Sequence, residues 1–367
     1  MRCLEFHPST PLTIGIELEF QLLDPNSFDL KPCGPELLKL VPDEYRNNIK
    51  AEFIQSMVEL SSPVCHDMQE LEDSIGLLYA TLDQLAGQCD CLPYAASLHP
   101  FARVSDRQVF PSNRYHTLMS ELQLSGRRMM TQALHVHIGL SNREQLIRIC
   151  NDLRGFLPTL LALSTSSPFL EGEDTGFHSY RSNIFAALPR NGIPQKLASW
   201  EQFTKLISLF SEATLLEGIN ELWWDVRPHP DFGTIEIRIC DLPSKMGHIL
   251  ALAALIQALV ATLNEYPPEV QPMDEIIRHN KWHASRFGLA GTRIGSEPDS
   301  HMSFQQAALD LLEFVRPVAE VLNSGDYLEK CLDIIHNGTS ADRQRRLYRQ
   351  HGSYQTMIHT LQSEFWL

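Results

Sequence analysis

Three short stretches of the sequence, 13–22, 134–139 and 234–241, alternate acidic or basic side chains with aliphatic ones. In a β-strand, residues two apart share a face and lie roughly 6.5–7 Å from each other. The alternation therefore projects three pairs of functional side chains, which are Glu17 with Glu19, His135 with His137, and Glu236 with Arg238. A strand face made of carboxylates and imidazoles is suited to hard divalent cations and to the phosphates that such cations hold.

The acidic and imidazole pairs each allow two interpretations. Glu17 and Glu19 could form an exposed acidic strand face, but two like charges on one face repel, and a metal ion would remove that cost. His135 and His137 could be one hydrogen-bonded core histidine and one exposed histidine, and we expect only one of them to be a metal ligand. Because the candidate ligands are rich in carboxylates and contain no thiolate, Mg²⁺ or Mn²⁺ is predicted rather than zinc.

Glu236 and Arg238 could form a simple salt bridge, or a metal ligand beside a guanidinium that binds phosphate. Further arginines are available nearby in the sequence: Arg227 precedes a turn at 229–233, and the long polar segment 164–194 carries Arg181 and Arg190. Segments this long without a clear element are often functional.

Glu52 and Glu59 are a further pair of acids, separated by seven residues. In one regular strand this spacing puts them on opposite faces. A bulge or a bend would be needed to direct both carboxylates at one site.

Composition restricts the class of partner. The chain has 367 residues, 45 acidic against 30 basic ones, and a formal charge of −15. A polyanion is not expected to bind nucleic acid or an anionic membrane. The eight cysteines show no C-x-x-C spacing and predict reduced thiols in a cytoplasmic protein. The N-terminus has no apolar signal core, and the apolar run 249–263 is predicted to be a buried helix of about 15 residues, shorter than a membrane span.

The predicted elements are those of an α+β fold. Strands with one polar face favour an antiparallel sheet. Apolar residues recur at helical spacing between positions 68 and 85, and further helices are predicted at 199–210, 248–263, 273–280 and 303–322. We expect one domain spanning 1–367, with helices packed on the apolar side of the sheet. The sequence contains no phosphate-binding glycine loop, so bound ATP would have to be held by metal ions and arginines.

Taken together, the motifs resemble the carboxylate–amine ligases grouped as glutamate–cysteine ligase type 2. The matching blocks follow one another along nearly the whole chain: GIELEF at 15–20, 52–65, LHPFA at 98–102, HVHIG at 135–139, 180–194, 223–238, 280–289 and ADRQR at 341–345. The chain departs from the family pattern at Asn191, where threonine is commoner, and at Lys281 and His283, where arginine is commoner.

This resemblance implies a glutamine-synthetase-like fold, in which a curved antiparallel sheet forms a funnel with helices on its outer face. It also implies ATP with Mg²⁺ or Mn²⁺ as cofactors. The metal ligands that it implies are Glu17, Glu19, Glu52, Glu59, one of His135 and His137, and Glu236. Arg238 matches the arginine that meets phosphate.

The resulting hypothesis is that the protein is an ATP-dependent ligase that forms an amide through an acyl phosphate. Its substrates would be an amino-acid-like carboxylate and an amine, and weak glutamate–cysteine ligase activity is one version of this hypothesis. Glu17, Glu236 and Arg238 would contact the nucleotide. Arg238, with Arg181, Arg190 or Arg227, would stabilise the transferring oxygens. No protein nucleophile is needed, so the cysteines are predicted to be catalytically idle.

The alternatives are a metal-dependent amide hydrolase and a catalytically silent metabolite-binding protein. A homodimer is also predicted. Glu236→Ala is expected to abolish activity and leave the fold intact.

Overall fold

The computed structural model describes residues 4–216, 218–297 and 299–366. In these ranges the strands are β1 (Ile14–Leu23), β2 (Ile49–Ala51), β3 (Met57–Ser61), β4 (Leu92–Tyr94), β5 (Leu134–Gly139), β6 (Phe169–Leu170), β7 (Glu173–Asp174), β8 (Asn191–Gly192), β9 (Trp223–Trp224), β10 (Val226–His229), β11 (Thr234–Ile237), β12 (Thr292–Ile294) and β13 (His301–Ser303).

The helices of the same ranges are α1 (Gly34–Leu40), α2 (Met68–Gln88), α3 (Asn113–Arg128), α4 (Arg143–Leu153), α5 (Leu157–Ser164), α6 (Arg181–Ala186), α7 (Trp200–Glu212), α8 (Met246–Glu265), α9 (Asp274–Phe287), α10 (Phe304–Val321), α11 (Gly325–Asn337), α12 (Ser340–His351) and α13 (Tyr354–Ser363). Short 3₁₀ turns lie at Asp43–Tyr45, Val104–Asp106, Ile219–Glu221 and Gly288–Ala290.

A seven-stranded antiparallel sheet is the centre of the fold. Its strand order is β10-β11-β5-β1-β3-β2, and β4 pairs with the far end of β1. The long first strand therefore pairs with β5 along one part of its length and with β3 and β4 along the other. The predicted α+β class with an antiparallel sheet is confirmed.

The two faces of the sheet differ as the alternation predicts. On β1, Ile14, Ile16 and Leu18 are buried on the face that packs against helices, while Gly15, Glu17 and Glu19 take the other face. The apolar face is covered by α2 against β1 and β3, by α8 against β5, and by α4 against β10 and β11. Among the described residues, the helices with the most contacts to the sheet lie on its apolar face, and the polar face lines a cavity.

Two predicted helices illustrate how well periodicity locates elements. Helix α2 buries every residue of the predicted apolar stripe, and it begins where the Asp67 side chain accepts a hydrogen bond from the Glu70 backbone N–H at 2.8 Å. Helix α7 begins in the same way, with the Ser199 hydroxyl accepting from the Gln202 N–H at 3.2 Å.

The apolar run 249–263 is buried as predicted, but the predicted length was wrong. Helix α8 has 20 residues, because residues 246–248 before the run and 264–265 after it continue the helical backbone. By length and composition alone this helix could cross a membrane, yet 94% of its apolar window is enclosed by the rest of the fold. It serves as the central core helix beneath the sheet, packing against α10 and α11.

Candidate active site

A cavity of about 350 Å³ opens on the polar face of the sheet. The predicted site residues that line it are Glu17, Glu19, Glu52, Glu59, His135, His137, Arg181, Arg227 and Arg238. Glu236 lies directly beneath, fully buried and in contact with Arg227 and Arg238. Side chains separated by more than 200 residues in the sequence therefore meet at one place.

Strand register explains this convergence. The residue pairs that face each other across neighbouring strands are Glu19 with Glu59, Glu17 with His135, His137 with Glu236, and Glu236 with Arg227. Directly opposed residues of an antiparallel pair have Cβ atoms about 4.5–5.5 Å apart, so one row of functional groups runs across the sheet.

One potential metal-binding group consists of Glu17, His135 and Glu236, each of which offers a ligand atom within 4.8 Å of the others. His135 Nδ1 lies 3.0 Å from Glu17 Oε2. Burial lowers the pKa of His135 to about 4, and the positive charge of Arg238 acts in the same direction. The imidazole is therefore neutral near pH 7, which is the form that binds a cation.

His137 is directed at the same carboxylates. Its Nδ1 lies 3.0 Å from Thr234 Oγ1, while its buried Nε2 makes no hydrogen bond in the described structure and lies 3.6 Å from Glu17 Oε1 and 3.8 Å from Glu236 Oε1. A buried unpartnered nitrogen that faces two carboxylates is suited to act as a ligand of a cation. His135 belongs to the compact group and His137 has the free nitrogen, so the expectation that only one is a ligand stays a prediction.

Glu236 is held between two arginines. Arg227 Nε and Nη2 both lie 2.7 Å from Glu236 Oε2, and Arg238 Nη1 donates to Oε1. Although burial favours the neutral acid, the charges of the two guanidinium groups hold the pKa of Glu236 well below its usual range. Glu236 is therefore ionised, and it fixes the position of Arg238 as well as offering an oxygen to a cation.

The second potential metal-binding group is an acid triad of Glu19, Glu52 and Glu59, whose carboxylate oxygens also come within 4.8 Å of one another. Burial raises the pKa of Glu19, and the charges of Glu52 and Glu59 raise it further. Burial and the charges of Glu17 and Glu52 raise the pKa of Glu59 to about 8. Three carboxylates at this distance are mutually destabilising unless protons or a cation compensate them.

Glu52 and Glu59 do not lie on one strand, which resolves the difficulty in their spacing. Glu52 follows the end of β2, in the connection that leads to β3, and Glu59 lies within β3. The Phe53 backbone N–H donates to Glu52 Oε2 at 2.7 Å, and the Ser61 hydroxyl donates to Glu59 Oε1 at 2.8 Å. The turn between the strands therefore replaces the bulge that a single strand would have required.

The acid triad predicts a specific pH dependence of stability. Glu59 has a pKa of about 8 in the folded state against an ordinary value of 4.5, so between these limits the folded state retains a proton that the unfolded state loses. Stability without divalent cations therefore falls as the pH rises from about 5 to 8. We expect added Mg²⁺ to raise Tm more at pH 8 than at pH 6, because the ionised triad binds it better.

Glu59→Gln is the matched variant for thermal unfolding scans. Without divalent cations, the variant should lose at least about 1 kcal/mol less stability than the wild type over this pH range. Its Mg²⁺-induced rise in Tm at pH 8 should be at least halved. Equal pH slopes in the two proteins would show that the triad shares no proton in the folded state.

Arg181 is positioned by a network of serines in the segment 164–194. Asp241 accepts hydrogen bonds from the Ser166 N–H at 2.8 Å, the Ser167 hydroxyl at 2.7 Å and the Ser179 hydroxyl at 2.9 Å. Arg181 starts α6 immediately after this network and donates to the Ile239 and Arg238 carbonyl oxygens at 3.2 and 3.1 Å. The polar segment is thereby tied to the residues that follow β11, and Arg181 lines the cavity.

The four predicted arginines are not equally free to meet a phosphate. Arg227 uses Nε and Nη2 on Glu236 and Nη1 on the carbonyls of Ile219 and Leu222, both at 3.2 Å. Arg190 is outside the set of residues that line the described cavity and contacts it through the Trp223 ring, 5.5 Å away.

Arg238 contacts Glu236 and His135 through Nη1 alone, and the described residues provide no acceptor for its Nε or Nη2. Its main chain lies just beyond β11, where the Arg238 and Ile239 N–H groups both donate to the Asp225 carbonyl. The predicted alternation to residue 241 is therefore longer than the strand, which ends at Ile237.

Sequence reasoning missed several residues that line the cavity. Lys50 faces Glu59 across the β2–β3 ladder, with its Nζ 3.7 Å from Glu59 Oε1, and pairing the two strands would have identified it. Arg114 and Tyr115 come from α3, and His229 and Phe232 come from the β10–β11 hairpin. The helix α3 residues belong to no recognisable motif, so only the folded chain brings them to the site.

The cysteines of the described chain lie outside the cavity lining, and they are free and mostly buried. Cys3 lies outside the described residues. Burial raises the pKa of Cys240 to about 12 and that of Cys150 to about 12, which suppresses the reactive thiolate. That the cysteines are catalytically idle stays a prediction.

Known proteins resemble this chain in sequence and in fold. The family model described as glutamate-cysteine ligase family 2 matches residues 13–360. A protein of Herpetosiphon aurantiacus, provisionally assigned as a glutamate–cysteine ligase 2, is 36% identical over 359 residues, which cover 97% of this chain and 93% of that protein. A protein of Solibacter usitatus with the same provisional assignment is 36% identical, over 95% of this chain and 91% of that protein.

Solved structures share the fold at much lower sequence identity. The glutamate–cysteine ligase of Francisella tularensis, solved in complex with AMP, aligns with a TM-score of 0.70 and 16% identity, over 98% of this chain and 90% of that one. The bifunctional glutathione synthetase of Pasteurella multocida aligns with a TM-score of 0.72 and 14% identity, over 96% of this chain and 52% of that one.

Proposed function

Because the chain belongs to glutamate–cysteine ligase family 2, it is an ATP-dependent carbon–nitrogen ligase, and we propose that it joins an amino-acid-like carboxylate to an amine through an acyl phosphate. One observation carries the proposal: two groups of potential metal ligands and the partly free guanidinium of Arg238 converge on one cavity, where no cysteine is available. Such a site neutralises and positions phosphates, which is the main requirement of phosphoryl transfer.

The residues present fit Mg²⁺ or Mn²⁺. Their donors are carboxylate oxygens and imidazole nitrogens without thiolates. In the described structure His137 Nε2 lacks a hydrogen-bond partner, and the carboxylates of the acid triad repel one another. Glu17, Glu236 and one of the two histidines would hold one cation, and Glu19, Glu52 and Glu59 another. When bound, the cations neutralise phosphate charge and fix the phosphate oxygens.

The proposed reaction has two steps. A carboxylate oxygen of the first substrate attacks the γ-phosphorus of ATP, the bond to the β-phosphate oxygen breaks, and ADP and an acyl phosphate result. The amine nitrogen then attacks the acyl carbon, inorganic phosphate leaves, and the nitrogen loses a proton to give the amide. Arg238 directs Nε and Nη2 at the transferring oxygens, while Glu236 and Arg227 hold it in position.

Substrate dependence of phosphate release tests this proposal. In a screen of amino-acid pairs with ATP and Mg²⁺ or Mn²⁺, we expect release only when both a carboxylate and an amine are present, with an amide product of the combined mass minus water. Release of amine from amides without ATP would instead identify a hydrolase. ATP and Mg²⁺ that raise Tm without turnover by any pair would indicate a silent binding protein.

Four further properties stay predictions. We propose that the whole chain forms one catalytic domain, that the protein is cytoplasmic, where ATP and reduced thiols are available, and that it acts on small molecules rather than nucleic acid or membranes. A homodimer is also predicted, and sedimentation of the purified protein would test it.

A further inference from the structure

Arg238 lies at an irregularity in the hydrogen-bond ladder between β10 and β11. The ladder ends at the pair Val226 and Ile237, and beyond it the N–H groups of both Arg238 and Ile239 donate to the Asp225 carbonyl, at 2.8 and 3.1 Å. Two residues of one strand therefore oppose one residue of its neighbour, which is the hydrogen-bond pattern of a β-bulge. Bulges beside active sites re-aim a side chain. The direction of the Arg238 guanidinium thus depends on the position of Asp225.

Asp225 is held by a lysine of helix α9. Lys281 Nζ lies 2.9 Å from Asp225 Oδ1 and 2.6 Å from Oδ2, and the two side chains are only 17% and 12% exposed. Because the pair is largely shielded from water, its attraction is screened much less than that of a surface pair. The Asp225 N–H also donates to the Gly192 carbonyl at 2.9 Å. The main chain and the side chain of Asp225 are therefore both fixed.

Helix α9 also holds the segment that fixes the other side of residues 238–239. The carbonyls of these two residues accept from Arg181, which begins α6. Just before Arg181, the N–H groups of His178 and Ser179 donate to the Ser285 carbonyl of α9, at 2.8 and 2.9 Å. One helix therefore anchors both sets of hydrogen bonds that fix the main chain at 238–239.

Lys281 itself lies behind the active-site cavity. It is not one of the residues that line the described cavity of about 350 Å³. With Asp225 and Arg238 it lines a separate small cavity of about 10 Å³, roughly the space of one water molecule. Lys281 is therefore connected to the active site through Asp225 and the bulge, and not by facing the substrates.

We propose that Lys281 and Asp225 form a clamp that positions Arg238 for phosphoryl transfer. The inference rests on the proposed function, because it requires Arg238 to meet the transferring phosphoryl oxygens. Lys281 is a positioning residue: it fixes the Asp225 side chain, the Asp225 carbonyl holds the bulge, and the bulge directs the guanidinium into the cavity. A displacement of about 1 Å in such a group can lower a rate about 10²-fold.

A double-mutant cycle with Arg238 tests the clamp. In Lys281→Met, kcat for ATP-dependent phosphate release should fall at least about tenfold while KM for ATP stays within about threefold. Lys281→Arg should keep kcat within about threefold of the wild type, because a guanidinium can bind both carboxylate oxygens. In an Arg238→Met background, Lys281→Met should lower kcat by less than about twofold further. Losses that multiply in the double variant would overturn the clamp.

Two further variants separate positioning from stability. Lys281→Met leaves the Asp225 charge unpaired, which lowers stability by itself. Lys281→Met with Asp225→Asn removes both charges and keeps the carbonyl, so Tm should recover while kcat stays at least about tenfold below the wild type. Recovery of wild-type kcat would overturn the clamp. Arg343→Met is the matched control, because Arg343 pairs with Glu364 at 2.6 Å outside the active-site cavity, and its loss should lower Tm but not kcat.

Amide hydrogen exchange separates this inference from the proposed function, because it needs no substrate. In Lys281→Met with Asp225→Asn, the amides of Arg238 and Ile239 should exchange at least about tenfold faster than in the wild type, while exchange in the core helix α8 stays unchanged. Unchanged exchange at 238–239 would overturn the clamp even if the protein is an active ligase. Faster exchange in a protein that releases no phosphate with any amino-acid pair would support the clamp and refute the ligase.

Discussion

Glu236→Gln is expected to lower kcat for ATP-dependent ligation by at least about 10³-fold. The substitution removes the charge that faces His137, that offers an oxygen to a cation, and that anchors Arg238. Because one residue serves both the metal-binding group and the phosphate-binding arginine, its loss affects charge neutralisation and geometry together. Phosphate release under saturating ATP and Mg²⁺ measures the effect.

Glutamine is preferred to alanine in this test because of the structure around Glu236. The sequence-based expectation that Glu236→Ala leaves the fold intact does not take account of Arg227, which is buried and has this carboxylate as its acidic partner. Removing one partner of a buried ion pair costs about 3–5 kcal/mol. We therefore expect Glu236→Ala to unfold at markedly lower temperature, whereas glutamine keeps the volume and one acceptor oxygen for the Arg227 fork.

Asp152→Asn is a matched control for the loss of a buried acid. Asp152 is buried on α4 outside the cavity lining and pairs with Arg148 at 3.1 Å. Its amide variant should lose stability without losing kcat. Wild-type kcat in a folded Glu236→Gln protein would refute the catalytic role of Glu236.

Arg238→Met is expected to lower kcat by about 10³-fold while changing Kd for ATP much less, because the guanidinium stabilises charge that develops during phosphoryl transfer. The fold should persist, since Glu236 keeps its two contacts from Arg227. Arg238→Lys should recover only part of the activity, because an ammonium group cannot contact Glu236 and two phosphate oxygens at once. Single-turnover phosphate release separates this effect from ATP binding.

Arg227→Met is expected to lower the stability of the folded protein more than kcat, which is the reverse of Arg238→Met. Its guanidinium is used on Glu236 and on two backbone carbonyls, so its loss should mainly reduce the stability of the folded protein. Equal effects of the two substitutions on ATP affinity, with kcat little changed in either, would show that Arg238 binds the ground state and does not act in the transition state.

The alternating stretches were the most reliable part of the prediction from sequence. A strand has a side-chain period of two, so the sequence alone showed that Glu17 and Glu19 share a face, and that His135 and His137 do. The same period placed Ile14, Ile16 and Leu18 on the opposite, buried face, and helical spacing located α2. These are local properties that depend only on neighbouring residues.

Glu52 and Glu59 show where local reasoning fails. On one regular strand, a spacing of seven residues would put the two side chains on opposite faces. Only the turn between β2 and β3 brings their carboxylates together. Helix α3 likewise brings Arg114 into the cavity from a segment without a motif. Such contacts depend on how loops and helices return to the sheet, and that path is set by packing across the whole chain.

The sequence by itself determined which side chains share a strand face, the antiparallel character of the sheet and, through family resemblance, the class of reaction. The tertiary structure decided which contacts each arginine makes. The sheet register pairs Arg227 with Glu236, whereas the described residues leave Nε and Nη2 of Arg238 without an acceptor. Periodicity fixes directions within an element, whereas the partners of a side chain depend on the elements that pack around it.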